Sequence, residues 1–213
     1  MVDVGGGVGG ATQPIARAYP DLRIHIQDLP DSEAGFSKVR AYVFQLTGLI
    51  SILCSLLTGF SQFWSESYPK AIEEQRVTFS AHNFFKPQPL NCKGAEVYFL
   101  RHVIHDWPDA EAIEILSHLA AAMTPFSKLL IVEHVVFPTY RQDDGEKVAA
   151  PVPLLANWGA AATSRLDLQV LACLNAKQRT TMEFEELADK SGLRVVRFWK
   201  NMGDLAFVEC RLK

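Results

Sequence analysis

The stretch Arg101-His102-Val103-Ile104-His105-Asp106-Trp107-Pro108-Asp109 concentrates groups that move protons. It follows the apolar run EVYFL (Glu96 to Leu100) and precedes a long amphipathic pattern. That places it at the C-terminal end of a sheet strand, where open α/β sheets build their sites. A histidine there suits general-base work, because an unperturbed pKa of about 6.5 leaves it largely neutral near pH 7. A weakly acidic hydroxyl such as a phenol, with a pKa of about 10, becomes a better nucleophile once its proton is taken. The plain alternative for His105 is a helix-capping or core histidine. His102 and His105 also suggest half of a metal site, but they stand three apart with no third ligand in view, so no metal is expected. Glu133 lies in the run LLIVEH. A carboxylate in an apolar strand is costly unless it is partnered or at the strand end. Orienting a base histidine would justify it, since a carboxylate fixes the imidazole tautomer and supports the cation formed on protonation.

A second set of residues opens the chain. MVDVGGGVGG holds two overlapping patterns, Gly5-x-Gly7-x-x-Gly10 and Asp3-x-Gly5-x-Gly7-x-Gly9. The first fits a dinucleotide fingerprint and the second the acidic first motif of methyltransferases. Both use glycine so that backbone can approach a ligand at the end of strand one, beside a helix N-terminus. Asp28 ends the next strand candidate, where a carboxylate can accept bonds from both hydroxyls of a ribose. Asp3 would repel a pyrophosphate, whereas it could help to hold an ammonium. The balance tips from a nicotinamide dinucleotide towards S-adenosylmethionine, and an empty glycine-rich turn remains the bland alternative.

Elements must carry these residues to one place. Leu22, Ile24 and Ile26 alternate as a strand, Val77 to Phe79 is a short one, and Leu129 to Val136 reads as a central strand. Ala112, Ile113, Leu116, Leu119, Ala120 and Met123 follow helical spacing over Asp109 to Met123, with Asp106 or Trp107 as the cap. A helical stretch is expected over Leu154 to Leu174, after a loop from Tyr140 to Pro153. Thr181 to Lys190 is a further helix stopped by Gly192, and Val195 to Trp199 and Ala206 to Leu212 close the chain as strands. Alternating strands and helices give an α/β, doubly wound sheet with mostly parallel strands.

Composition narrows the classes. With 213 residues one domain is the default, and a net charge of −3 without a basic face argues against nucleic acid. Cys54, Cys92, Cys173 and Cys210 stand far apart, which suits a reducing compartment. Met1 runs straight into a strand and a glycine loop with no basic and apolar leader, so a cytoplasmic chain is expected.

In order along the chain, VDVGGGVGG, QDLP, RVTFSAHNFF, YFLRHVIHDWPD, LLIVEH and KQRTTMEFEELADKSGLRV resemble the plant- and fungal-type O-methyltransferases. That group includes the caffeic acid and sterigmatocystin O-methyltransferases. The resemblance covers most of the chain outside Val39 to Gln62. It implies the class I methyltransferase fold, Rossmann-like, with seven strands and an antiparallel last one. It implies S-adenosyl-L-methionine as cofactor, no metal, and a small hydroxylated aromatic or polyketide-type acceptor. It also implies His105 as base with Glu133 flanking it, and cofactor contacts at Asp3, Gly5, Gly7, Gly9, Asp28, Asn83, Phe84 and Arg101. Three departures stand out. Asn83 replaces a usual aspartate, Gln178 replaces a second active-site glutamate, and the N-terminal helical domain that makes the family's homodimers is expected to be missing. A truncated, non-catalytic remnant is therefore the alternative reading; a nicotinamide oxidoreductase rests on the glycine pattern alone.

Residues Val39 to Gln62 fit none of this. From Ala41 to Ser65 no residue is charged. By length the run suits a membrane span, but it lies between two strands expected in one sheet, so no span is expected. Deleting the 24 residues joins Lys38 to Phe63 and restores a continuous amphipathic pattern. Valine codons begin with GT, a glutamine codon can end in AG, and Leu57-Thr58 can be encoded by a branch-site-like CTGAC. The 72 nucleotides keep the frame, so a translated intron is expected, with its apolar side chains left on the surface.

Overall fold

Strand β1 (Val2–Val4) is three residues long and buried at all three, because it lies mid-sheet with a neighbour on each side. A computed structural model describes residues 1–30, 59–136, 161–202 and 205–213. In it β1 leads through α1 (Gln13–Ala18) to β2 (Ile24–Asp28), then α2 (Phe60–Ser67), α3 (Pro69–Glu73) and β3 (Val77–Ala81). After β4 (Val97–Arg101) come a 3-10 turn at Ile104–Asp106, α4 (Asp109–Ala122), β5 (Lys128–Glu133) and β6 (Val135–Val136). The chain closes with α5 (Ala161–Leu174), β7 (Arg179–Thr180), α6 (Thr181–Lys190), β8 (Leu193–Met202) and β9 (Leu205–Leu212).

Seven strands form one sheet in the order β3-β2-β1-β4-β5-β9-β8. The first five are parallel, and β9 runs antiparallel between β5 and β8. Strand order reverses between β1 and β4, the switch point at which such sheets bind ligands. Val2 pairs with His25, and paired residues share a face, so Val2 and Val4 face away from Ile24 and Ile26. The two faces carry separate cores. One joins Val2, Val4, Leu100 and Ile131 to α4 and α6; the other joins Ile24, Ile26 and Val77 to Ala16, Phe60, Trp64 and Ala71. The doubly wound sheet is as expected.

Several local expectations change. α4 buries Ala112, Ile115, Leu116, Leu119 and Ala122, so the stripe uses Ile115 where the sequence suggested Ile113. Pro108 is its N-cap rather than Asp106 or Trp107. The central strand ends at Glu133, because β9 pairs with β5 only that far; Val135 and Val136 turn away to pair with β7. Apolar periodicity cannot show where a strand changes partner. α6 starts with a capping box between Thr180 and Glu183 and ends before Gly192, whose φ of +78° suits glycine at that stop.

Of the segment 39–62, residues 39–58 lie outside the described residues, as does the whole of the proposed loop at 140–153. Phe60, Ser61 and Gln62 form the start of α2. Phe60 is buried, 6.2 Å from the Trp64 ring and 5.3 Å from Phe79. The expectation that the segment's apolar side chains lie on the surface is therefore corrected at Phe60, for which the second core has a place. Among the described residues no helix is long and apolar enough to cross a membrane.

Candidate active site

The parallel strands finish side by side. Asp3 pairs with Phe99 and Val4 with Gln27, which brings Gly5 next to the ends of β2 and β4. Arg101 pairs with Val132, so Glu133 stands level with His102. Gly5, Asp28, Arg101 and Glu133 thus lie along the C-terminal end of the sheet, from four separate stretches of sequence.

At the glycine turn, Gly5 and Gly6 donate their N–H groups to the Gln27 carbonyl at 2.8 and 3.1 Å. Asp28 accepts the Gly7 N–H at 2.7 Å on Oδ2 and the Leu29 N–H at 2.7 Å on Oδ1. Its carboxylate holds the turn in place at the end of β2. Gly5 (φ +69°) and Gly9 (φ +88°) are required for space as well as for conformation. A Cβ at Gly5 would come within 2.9 Å of the Val103 side chain, and one at Gly9 within 2.9 Å of Trp64 Nε1. That indole N–H donates to the Val8 carbonyl at 2.8 Å, which ties α2 to the turn. Asp3 is buried beneath Gly6. Phe84 packs against Gly5, and its ring meets Phe85 and Trp107 edge-on at 5.1 and 5.8 Å. Asn83 uses its side-chain oxygen to accept the Phe85 N–H at 2.9 Å. A carboxylate at the strand end, a tight glycine turn and an aromatic face together suit the ribose and base of a nucleoside. Asp28, the glycines, Asn83 and Phe84 are the residues that fit such a cofactor; Arg101 is exposed at the end of β4.

Across this end of the sheet lies the cluster of His102, His105, Asp106 and Glu133. His105 Nδ1 is 2.6 Å from Glu133 Oε2. The other oxygen, Oε1, accepts the N–H groups of Val103, Ile104 and His105 at 3.1, 3.0 and 3.4 Å. Glu133 therefore fixes both the imidazole and the turn that carries it, which explains a fully buried carboxylate at a strand end. On the opposite side of the ring, His105 Nε2 is 3.1 Å from Asp106 Oδ1. His102 has a left-handed backbone (φ 54°), donates its N–H to the Val132 carbonyl, and sets Nδ1 3.8 Å from Glu133 Oε2. Its ring stacks on His134 with centroids 5.6 Å apart.

Burial alone would lower the His105 pKa, but the Glu133 charge and the bonds to Asp106 and Glu133 outweigh it and push it up to about 10. This corrects the expectation of a largely neutral imidazole. Burial opposes ionisation of Glu133, yet the His105 charge and the bonds from both histidines hold its carboxyl well below the ordinary range. Folding also sets Glu133 beside both histidines, which their spacing in the sequence did not show: single donor atoms of His102, His105 and Glu133 lie within 4.8 Å of one another, and His105 and Glu133 are bonded to each other.

Gln178 is buried just before β7, with its backbone N–H on Asp167 Oδ1 at 2.7 Å. Register places it level with His134, since Val135 pairs with Arg179. Its amide meets no hydrogen-bond partner among the described residues. Sequence reasoning missed Arg179. Its buried guanidinium donates to the carbonyls of Ile104 and Trp107, both at 2.8 Å, and so clamps the turn that bears His105. The contact spans some seventy residues, and no local pattern signals it.

Residues 1–42 and 64–194 match the O-methyltransferase domain family. The chain belongs to that family. Its members are S-adenosylmethionine-dependent methyltransferases. It is 36% identical to the O-methyltransferase gedA of Aspergillus terreus over 98% of its own length and 38% of that protein. It is 32% identical to the demethylsterigmatocystin 6-O-methyltransferase stcP of Emericella nidulans, over 92% of this chain and 70% of the relative. Among solved structures it resembles the O-methyltransferase NcsB1 from neocarzinostatin biosynthesis, in complex with S-adenosylmethionine and 2-hydroxy-5-methyl naphthoic acid. The TM-score is 0.66 and the identity 26%, over the whole of this chain and 48% of the other. The chain thus spans less than half the length of gedA. The family match leaves out residues 43–63.

Proposed function

We propose that this chain is the catalytic part of an enzyme that methylates a hydroxyl, phenolic in character, on a small aromatic or polyketide-type metabolite. The observation that carries the reading is the 2.6 Å contact between His105 Nδ1 and Glu133 Oε2, at the strand ends beside the glycine turn. S-adenosylmethionine, when bound, supplies a methyl group made electrophilic by its sulfonium. Asp28 and the turn at Gly5, Gly7 and Gly9 would hold its nucleoside, with Phe84 and Asn83 beside them, and Asp3 would help to hold its ammonium. Glu133 keeps the Nδ1 proton of His105 in place, so Nε2 is the nitrogen that takes the acceptor's proton. The cofactor's positive charge favours the neutral imidazole that this step requires. The acceptor docks against Trp107 and Phe85, with the rest of its pocket supplied by chain that the longer relatives carry. Family members of that length pair as homodimers in this reading, and the enzyme works in the cytoplasm.

The test uses a protein extended to the relatives' length. His105→Gln is expected to leave affinity for S-adenosylhomocysteine near that of the parent while turnover drops by roughly 10²-fold or more. An unchanged rate would make His105 structural.

A further inference from the structure

Both ring nitrogens of His105 already have carboxylate neighbours, Glu133 on Nδ1 and Asp106 on Nε2. The two contacts differ in kind. Glu133 is fully buried and anchored by three backbone N–H groups, so it cannot leave. Asp106 sits on the 3-10 turn with its side chain about a quarter exposed, and no other side-chain bond of its carboxylate is evident among the described residues. Its oxygen occupies the position from which a hydroxyl would have to give up its proton.

We infer that Asp106 is a positioning residue that competes with the methyl acceptor for Nε2 of His105, holding the base in the empty site and yielding when a hydroxyl docks. The inference rests on the reading of His105 as the base. In the empty site the imidazolium donates one N–H to each carboxylate. For the ring to act, its Nε2 proton passes to Asp106 and on to water, and the carboxylate then turns outward. The acceptor's O–H donates to the vacated nitrogen. At the end of a turnover the proton is again on Nε2 and leaves by the same route, so protons balance with no further reactant. Gln178 fits this arrangement: with an amide there, Asp106 is the second carboxylate on the histidine.

The other groups around the ring do not duplicate this role. His102, from the end of β4, faces the ring edge at 5.5 Å, and His134 lies behind His102. Arg179 from β7 is committed to the Ile104 and Trp107 carbonyls and to Asp109, which also receives Lys177. On α5, Asp167 holds the Gln178 N–H and Arg165 is exposed. Asp106 is the carboxylate free to move among these described groups.

The experiment is an NMR titration of the histidine rings in the chain as it stands, with S-adenosylhomocysteine binding as the check of fold. Asp106→Asn is expected to lower the His105 midpoint by about one pH unit or more, since an opposite charge at this distance is removed. Asp189→Asn, whose carboxylate meets Lys213 at the surface, is expected to leave it unchanged. In the extended enzyme the rising limb of the pH–rate profile moves to lower pH with Asp106→Asn. An unmoved midpoint overturns the inference. If Asp106→Asn loses the fold, Asp106→Ser is read instead, and loss of fold in both makes Asp106 structural and overturns it too. The midpoint is read without turnover. Failure of His105 as base would therefore show only in the His105→Gln rate and stay distinguishable.

Discussion

Arg179 and Asp109 meet in a two-point contact, with Nε at 3.1 Å and Nη2 at 2.8 Å from the same carboxylate oxygen. Arg179 is almost wholly buried, whereas Asp109 is half exposed at the start of α4. The arginine's Nη1 and its shared Nη2 also reach Ile104 and Trp107, so one side chain joins β7, the histidine turn and the first turn of α4.

Removing that guanidinium strands the buried Ile104 carbonyl and the partly buried Trp107 carbonyl on the turn that carries His105. Arg179→Met is expected to cost roughly 2 kcal/mol, the scale for leaving a buried acceptor without its donor, with little added by Asp109, which stays half exposed to solvent. Urea unfolding followed by circular dichroism measures it. A loss under about 1 kcal/mol, the net worth of one ordinary hydrogen bond, would mean that the clamp is dispensable.

The His105–Glu133 pair makes stability depend on pH in two opposite directions. His105 keeps its proton in the fold up to about pH 10 but loses it near 6.5 when unfolded. Its contribution is complete below about 6.5 and fades as pH rises towards 10. Glu133, held below its ordinary value, contributes above about 4.5 and loses that contribution as pH falls. Urea midpoints between pH 7 and 10 should thus fall more steeply for the parent than for His105→Gln. Parallel curves would show that His105 is not held as the cation.

Asp28 bridges the glycine turn and the proposed ribose site. Asp28→Ala should weaken S-adenosylhomocysteine binding by at least ~1.5 kcal/mol, the low end for hydrogen bonds to a charged group. Calorimetry reads this directly, and equal affinities would remove Asp28 from the cofactor site.

The segment 39–62 yields a prediction with a structural basis. Gly35-Phe36-Ser37-Lys38 and Gly59-Phe60-Ser61-Gln62 are near repeats 24 residues apart, and either can directly precede Phe63-Trp64 without a change of register. Phe60 fills the core beside Trp64. After deletion of 39–62, Phe36 takes its position and Gly35 that of Gly59. The shortened chain should keep the fold and S-adenosylhomocysteine binding, stay more soluble and melt more sharply, because an apolar uncharged run is gone. If the segment is a translated intron, transcripts will include a species 72 nucleotides shorter. Reads that all run through codons 39 to 62, or a deletion that unfolds, would refute the idea.

The sequence by itself determined the elements and the chemistry that each could carry. The alternation of Leu22, Ile24 and Ile26, the apolar EVYFL run and the helical stripe of α4 are local patterns, set by side-chain periods of about two and 3.6 residues. The glycine turn and the Asp28 position were legible for the same reason, since backbone conformation is decided within a few residues. Only tertiary structure decided what depends on contact across distance. It ended β5 at Glu133, because β9 offers no partner beyond Ala206. It brought Arg179 under the histidine turn, and it seated Phe60 in a core already built from β2 and β3. It also reversed the expected charge of His105. A histidine's protonation follows from burial and from the charges that folding sets beside it, and here those are Glu133 on one nitrogen and Asp106 on the other.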